Sequence, residues 1–158
     1  MVARIYLLSL ILLFTTSCTL STQQETQLNK DIKTYILIRN EGDALSYLNY
    51  THPIIVTHYK NQGDSILKNK FQELPKKKNQ HLNKKEIIYW NKAYTKGTKS
   101  NDSILQAKIE LTLLRKDREL DSSVVIFATS THLSENWLFV SHKDYFNVFP
   151  KGLRLFSE

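Results

Sequence analysis

Six side chains in this 158-residue chain are of the types most used for nucleophilic, general-base or metal chemistry: Cys18, His52, His58, His81, His132 and His142. Their spacing supports little of that chemistry. No two histidines stand four apart around a glutamate, the pattern that puts two zinc ligands on one helix face. His52 and His58, six apart, would point to different sides of a helix. The four glycines, at 42, 63, 97 and 152, are too scattered to cradle a phosphate. The serines lack nucleophile-elbow spacing, and no two acids share a strand face as a glycosidase pair would. No catalytic residue, metal site or cofactor is assigned from these patterns.

Cys18 closes a different pattern. Arg4 and the apolar run Ile5–Phe14 are followed by Thr15, Thr16 and Ser17, then by the chain's only cysteine. Ten residues are too few to cross a ~30 Å hydrocarbon core, which needs ~20 helical residues, but they suit the apolar region of an export signal. This arrangement resembles the bacterial lipoprotein signal, with Thr15 where leucine is usual. The resemblance implies cleavage after residue 17 and attachment of diacylglycerol and palmitate-type acyl chains at Cys18. A plain secretory signal with an incidental cysteine is the alternative. An acylated sulfur cannot enter unwanted disulfides, and each buried methylene of its chains adds about 0.8 kcal/mol of anchoring.

The expected organisation is therefore a signal at 1–17, a lipidated tether at 18–27 and a single domain at 28–158, enough chain for a real core. The formal charge is +7, and removing Arg4 with the signal leaves +6. Much of the excess lies in Lys76-Lys77-Lys78 and Lys84-Lys85, read either as a solvated loop after Pro75 or as a patch for anionic headgroups. An exported chain is not expected to bind nucleic acid. Asp64-Ser65-Ile66 and Asp102-Ser103-Ile104 resemble short O-glycosylation sites, and helix capping explains them equally well.

Helices come first. Leu28, Ile32, Tyr35 and Ile36 form one stripe. Gly42 ends it, and Asp43 caps a second helix with Leu45 and Leu48 inward. Pro53 sits at a first helical position, Gly63 stops that helix, and Asp64 or Ser65 caps the next, striped by Leu67, Phe71 and Leu74 and ended by Pro75. Strands follow: 86–95, then 103–114 after a turn at 95–102, then 123–129 after a turn at 116–121, and 137–141 after a turn at 132–136. Leu105, Ala107, Ile109, Leu111 and Leu113 alternate with polar Gln106, Lys108, Glu110 and Thr112, so one face is predicted buried and one wet. Residues 123–129 are apolar on both faces, as in a central strand. The predicted class is α+β, with N-terminal helices packed on one face of a curved antiparallel sheet of about four strands.

That order, with "NEGD" (40–43), "YTHP" (50–53) and "ENWLFV" (135–140), resembles the nuclear-transport-factor-2-like or cystatin-like cone fold, and within it small lipoproteins of Bacteroidetes. The resemblance spans roughly 28–145. It implies a cone whose lining would include Tyr89, Trp90, Tyr94, Trp137 and Phe139, although the same aromatics also suit an ordinary core. Three roles stay open. One is a non-catalytic envelope module, anchored at the inner or outer membrane, that binds a small apolar ligand or a protein. Another is an isomerase- or hydratase-like enzyme drawing its base from His58 or Asp43. The third is a structural protein that forms a homodimer through its sheet. A closed cavity with an ionisable group inside would favour the enzyme, and a filled cone would sink it.

Overall fold

The computed structural model describes residues 20–72, 88–115, 118–131 and 136–158. Its first helix, α1 (Thr22–Glu41), begins six residues before the apolar stripe. The cause is a capping box: Ser21 Oγ accepts from Gln24 N–H at 3.2 Å, and Gln24 Oε1 accepts from Ser21 N–H at 2.9 Å. The polar stretch read as tether is thus helical from Thr22. At the other end Gly42 adopts a left-handed φ of 74°, and the N–H groups of Gly42 and Asp43 bond to the carbonyls of Arg39 and Ile38.

Three short helices follow, α2 (Ala44–Tyr50), α3 (Pro53–Asn61) and α4 (Asp64–Gln72). Asp43 caps α2 as predicted, accepting from Ser46 N–H. Leu45, expected inward, is 77% exposed, and Tyr47 and Tyr50 are the α2 side chains that pack on the core. Pro53 occupies the first turn of α3, and His52 caps it through Nδ1. Asp64 is the first residue of α4 rather than its cap; the Gly63 carbonyl accepts from Ile66 and Leu67 instead. The Leu74 and Pro75 part of this prediction and both lysine clusters lie outside the described residues.

The sheet is a four-stranded antiparallel meander, β1 (Tyr89–Ser100), β2 (Ile104–Arg115), β3 (Arg118–Thr131) and β4 (Leu138–Ser141), not closed into a barrel. The α+β prediction holds. Two predicted turns are mostly strand. Residues 95–100 continue β1, pairing Thr95 with Ile109 through Ser100 with Leu105. Residues 118–121 open β3, with Arg118 paired to Arg115. Bulges between Trp90 and Ala93 and between Thr95 and Gly97 interrupt the register of β1.

Both sheet faces carry an apolar layer. The predicted inward residues of β2 are 0–8% exposed and meet Leu28, Ile32 and Tyr35 of α1, with Ile126, Ala128, Trp90, Trp137 and Phe139 completing the cluster. On the opposite face Phe127 and Val140 pack with Tyr145 and Phe149 from the C-terminal segment and with Ile55 of α3. That segment comprises α5 (His142–Asn147), capped by Ser141, and a 3-10 turn (Lys151–Leu153). Phe127 and Tyr145 stack with centroids 3.8 Å apart. The prediction that helices cover a single face is therefore corrected: the C-terminal segment covers part of the second. Gln106, predicted wet, is 0% exposed.

Candidate functional site

The predicted cone lining divides between the two faces. Trp90, Trp137 and Phe139 come together in the α1-facing core, at 9%, 2% and 0% exposure. Tyr94 is 49% exposed and pairs with Glu110 on the other face, and Tyr89, paired with Leu114, is half-buried. Where the three core aromatics meet, the space is occupied. Tyr35 stacks on Phe139 at 4.3 Å and on Tyr47 at 4.8 Å, and packs against Trp90 at 5.6 Å. Its hydroxyl donates to or accepts from Tyr47 at 2.7 Å. Burial pushes the Tyr35 phenol well above its ordinary value and raises that of Tyr47, so both keep their protons.

The two candidate bases serve their own helices. Asp43 is an exposed cap, held below the usual carboxylate range by hydrogen bonds from Ser46. His58 Nε2 lies 2.7 Å from Gln62 one turn on. Cys18, His81 and His132 lie outside the described residues. Among the described residues, no group of three or more His, Cys, Asp or Glu side chains is placed to hold a metal ion.

Three buried polar side chains escaped the sequence reading. Asp31 on α1 accepts Trp137 N–H at 2.9 Å and Gln27 Nε2 at 2.9 Å, tying the first helix to the entry of β4. Gln106 holds the C-terminal segment: Oε1 accepts from the Tyr145 hydroxyl at 2.5 Å and Leu155 N–H at 2.9 Å, and Nε2 donates to the Leu153 carbonyl at 2.8 Å. Asp144 on α5 accepts from the Tyr59 hydroxyl at 2.6 Å and the Ser141 hydroxyl at 2.7 Å, and Lys70 Nζ sits 3.2 Å away. Burial pushes the Asp144 carboxyl up, but the bonds from Tyr59 and Ser141 and the Lys70 cation reverse this and hold it below its ordinary value. Each group is hydrogen-bonded to structural partners, so each reads as a tie between elements. Partial signals existed: Gln106 interrupts no pattern, but β3 is apolar on both faces, and that requires a second layer.

A surface groove of about 730 Å³ is lined by Lys99, Phe146, Lys151, Arg154, Phe156 and Glu158, among others. Its cations rest on aromatic faces, Lys99 over Phe156 at 5.0 Å and Arg154 over Phe146 at 5.9 Å. Arg154 is fixed by donating from Nε and Nη2 to the Phe149 carbonyl, a neutral acceptor, at 2.8 and 2.6 Å. Such a groove has the charge to bind anions.

A scan against protein-family models finds no match, and searches of curated proteins and of solved structures find none either. Among the described residues no helix is long and apolar enough to cross a membrane.

Proposed function

We propose that this protein is a membrane-anchored envelope lipoprotein, held by acyl chains on Cys18, whose folded part binds a partner and converts nothing. The observation that carries the second half is the Tyr35–Phe139–Trp90–Tyr47 ring cluster, which fills the space a cone-type enzyme would keep for substrate. An interior filled by these rings leaves the surface as the place for recognition. The anchor half is supported by the sequence 1–18: a single cation, a short apolar run and small residues before the only cysteine.

Two measurements test the reading. In a lipoprotein-processing bacterial host, the wild type should float with membranes, and Cys18→Ala should lose membrane-extractable acyl groups and accumulate with its signal uncleaved. An apolar fluorescent probe should gain no saturable emission on the native protein. Saturable probe binding that Phe139→Trp abolishes would reveal an open chamber and overturn the non-catalytic reading.

A further inference from the structure

The chain enters its fold at the edge strand that also contributes to the basic groove. Leu20, the first described residue, packs against the core and shares a small cavity of about 190 Å³ with Glu25, Leu28, Thr95 and Thr98. Thr98 precedes Lys99 on the same edge strand, so their side chains face opposite sides of the sheet: the cavity lies on the α1 face and the groove on the C-terminal face of one shared edge. Cys18 is two residues upstream of Leu20, which at ~3.5 Å per residue keeps its sulfur-bearing backbone within about 7 Å of that entry point. An anchor on Cys18 therefore keeps the β1 edge, and with it the Lys99 end, within reach of the bilayer surface.

The charges at that end suit such a surface. Along β1, Lys92 pairs with Glu119 at 3.2 Å and Lys96 with Glu110 at 2.6 Å. Lys99 lies over a phenyl ring instead, and neither it nor Lys151 has a carboxylate partner among the described residues. Three cations thus line the groove against one acidic side chain, Glu158. We propose that the groove formed by Lys99, Lys151 and Arg154 docks on the anionic headgroups of the bilayer that holds Cys18, orienting the domain on its membrane. The proposal rests on the acylation reading above. Tethering makes the contact intramolecular, so cations too few to recruit a free protein suffice to set an orientation.

The test is lysine acetylation footprinting of the acylated full chain in phosphatidylcholine vesicles, with and without phosphatidylglycerol. Adding the anionic lipid should slow acetylation of Lys99 and Lys151 by about threefold or more, and about 0.5 M salt, where the Debye length is roughly 4 Å, should restore it. Lys92, roughly 20 Å along the strand, should not change. Equal rates in both vesicles, or protection confined to Lys76–Lys78 and Lys84–Lys85, would overturn the proposal. Protection by inorganic phosphate in detergent, with none added by anionic lipid, would overturn it in favour of a soluble anion. The intact mass separates the two claims. An acylated chain showing no protection keeps the anchor and loses the docking. A chain without acyl groups that anionic vesicles still protect loses the anchor and overturns the tethered docking, because the groove then recruits a free protein.

Discussion

Replacing Gln106 by methionine should loosen the C-terminal segment from the sheet. The change roughly keeps side-chain length and volume and removes both polar ends. Leu155 N–H retains an acceptor in the Tyr145 hydroxyl at 3.0 Å. The Tyr145 hydroxyl proton and the Leu153 carbonyl lose their partners. Tyr145 is 1% exposed, so its orphaned donor bears the full desolvation cost, whereas Leu153 is 38% exposed and its carbonyl can reach water. One full and one reduced cost, at about 1–3 kcal/mol for a fully buried group, give a net loss of about 1.5–3 kcal/mol. For a domain of this size that lowers Tm by roughly 5–12 °C. Urea and thermal unfolding followed by circular dichroism read the loss. A double-mutant cycle with Tyr145→Phe should show a coupling of about 1 kcal/mol, because both changes delete the same bond. Single variants within about 0.5 kcal/mol of wild type, or strictly additive ones, would refute the claim that this bond holds the segment.

The Asp144–Lys70 pair sets a pH window. The folded carboxyl lies below its ordinary value, so its contribution is present above about pH 4 and lost as pH falls through the lower folded value. Lys70 loses pull from burial but is raised overall by Asp144, so its contribution holds below about pH 10.4 and fades as pH rises through the raised folded value. Asp144→Asn should lower the neutral plateau by about 1–3 kcal/mol and flatten the acid limb of a Tm-versus-pH profile; an unchanged acid limb would contradict this. Arg39 stacks on Trp90 at 4.0 Å with Nη1 buried and unpartnered, and burial lowers its pKa. Arg39→Met should therefore leave the urea-derived stability within about 1 kcal/mol of wild type, the lost cation–π contact being offset by the lost desolvation.

The half of the fold governed by period was legible. The stripe of α1 and the alternation of β2 follow from the requirement that one face be buried, and Gly42, Asp43 and Pro53 mark helix ends through backbone chemistry alone. Strand lengths were not legible, because Thr95–Ser100 is polar enough to read as a turn yet lies on an edge where water replaces burial, so pairing with β2 decides. Leu45 misled because a seven-residue helix shows too few turns to define its inward side. The second apolar layer was written in Val125 and Phe127 but could not be assigned a partner until the C-terminal segment folded back onto it. For the site, Trp90, Trp137 and Phe139 share one cluster that Tyr89 and Tyr94 do not join, and whether aromatics line a space or fill it depends on Tyr35, which arrives from a helix more than fifty residues away.

Intact and tryptic mass spectrometry of the protein extracted from its own cell membranes tests the central claim most directly. The account predicts that the N-terminal tryptic peptide runs from Cys18 to Lys30 and carries diacylglycerol on sulfur. A free Cys18 thiol, or peptides from residues 1–17 still joined to the folded protein, would contradict it.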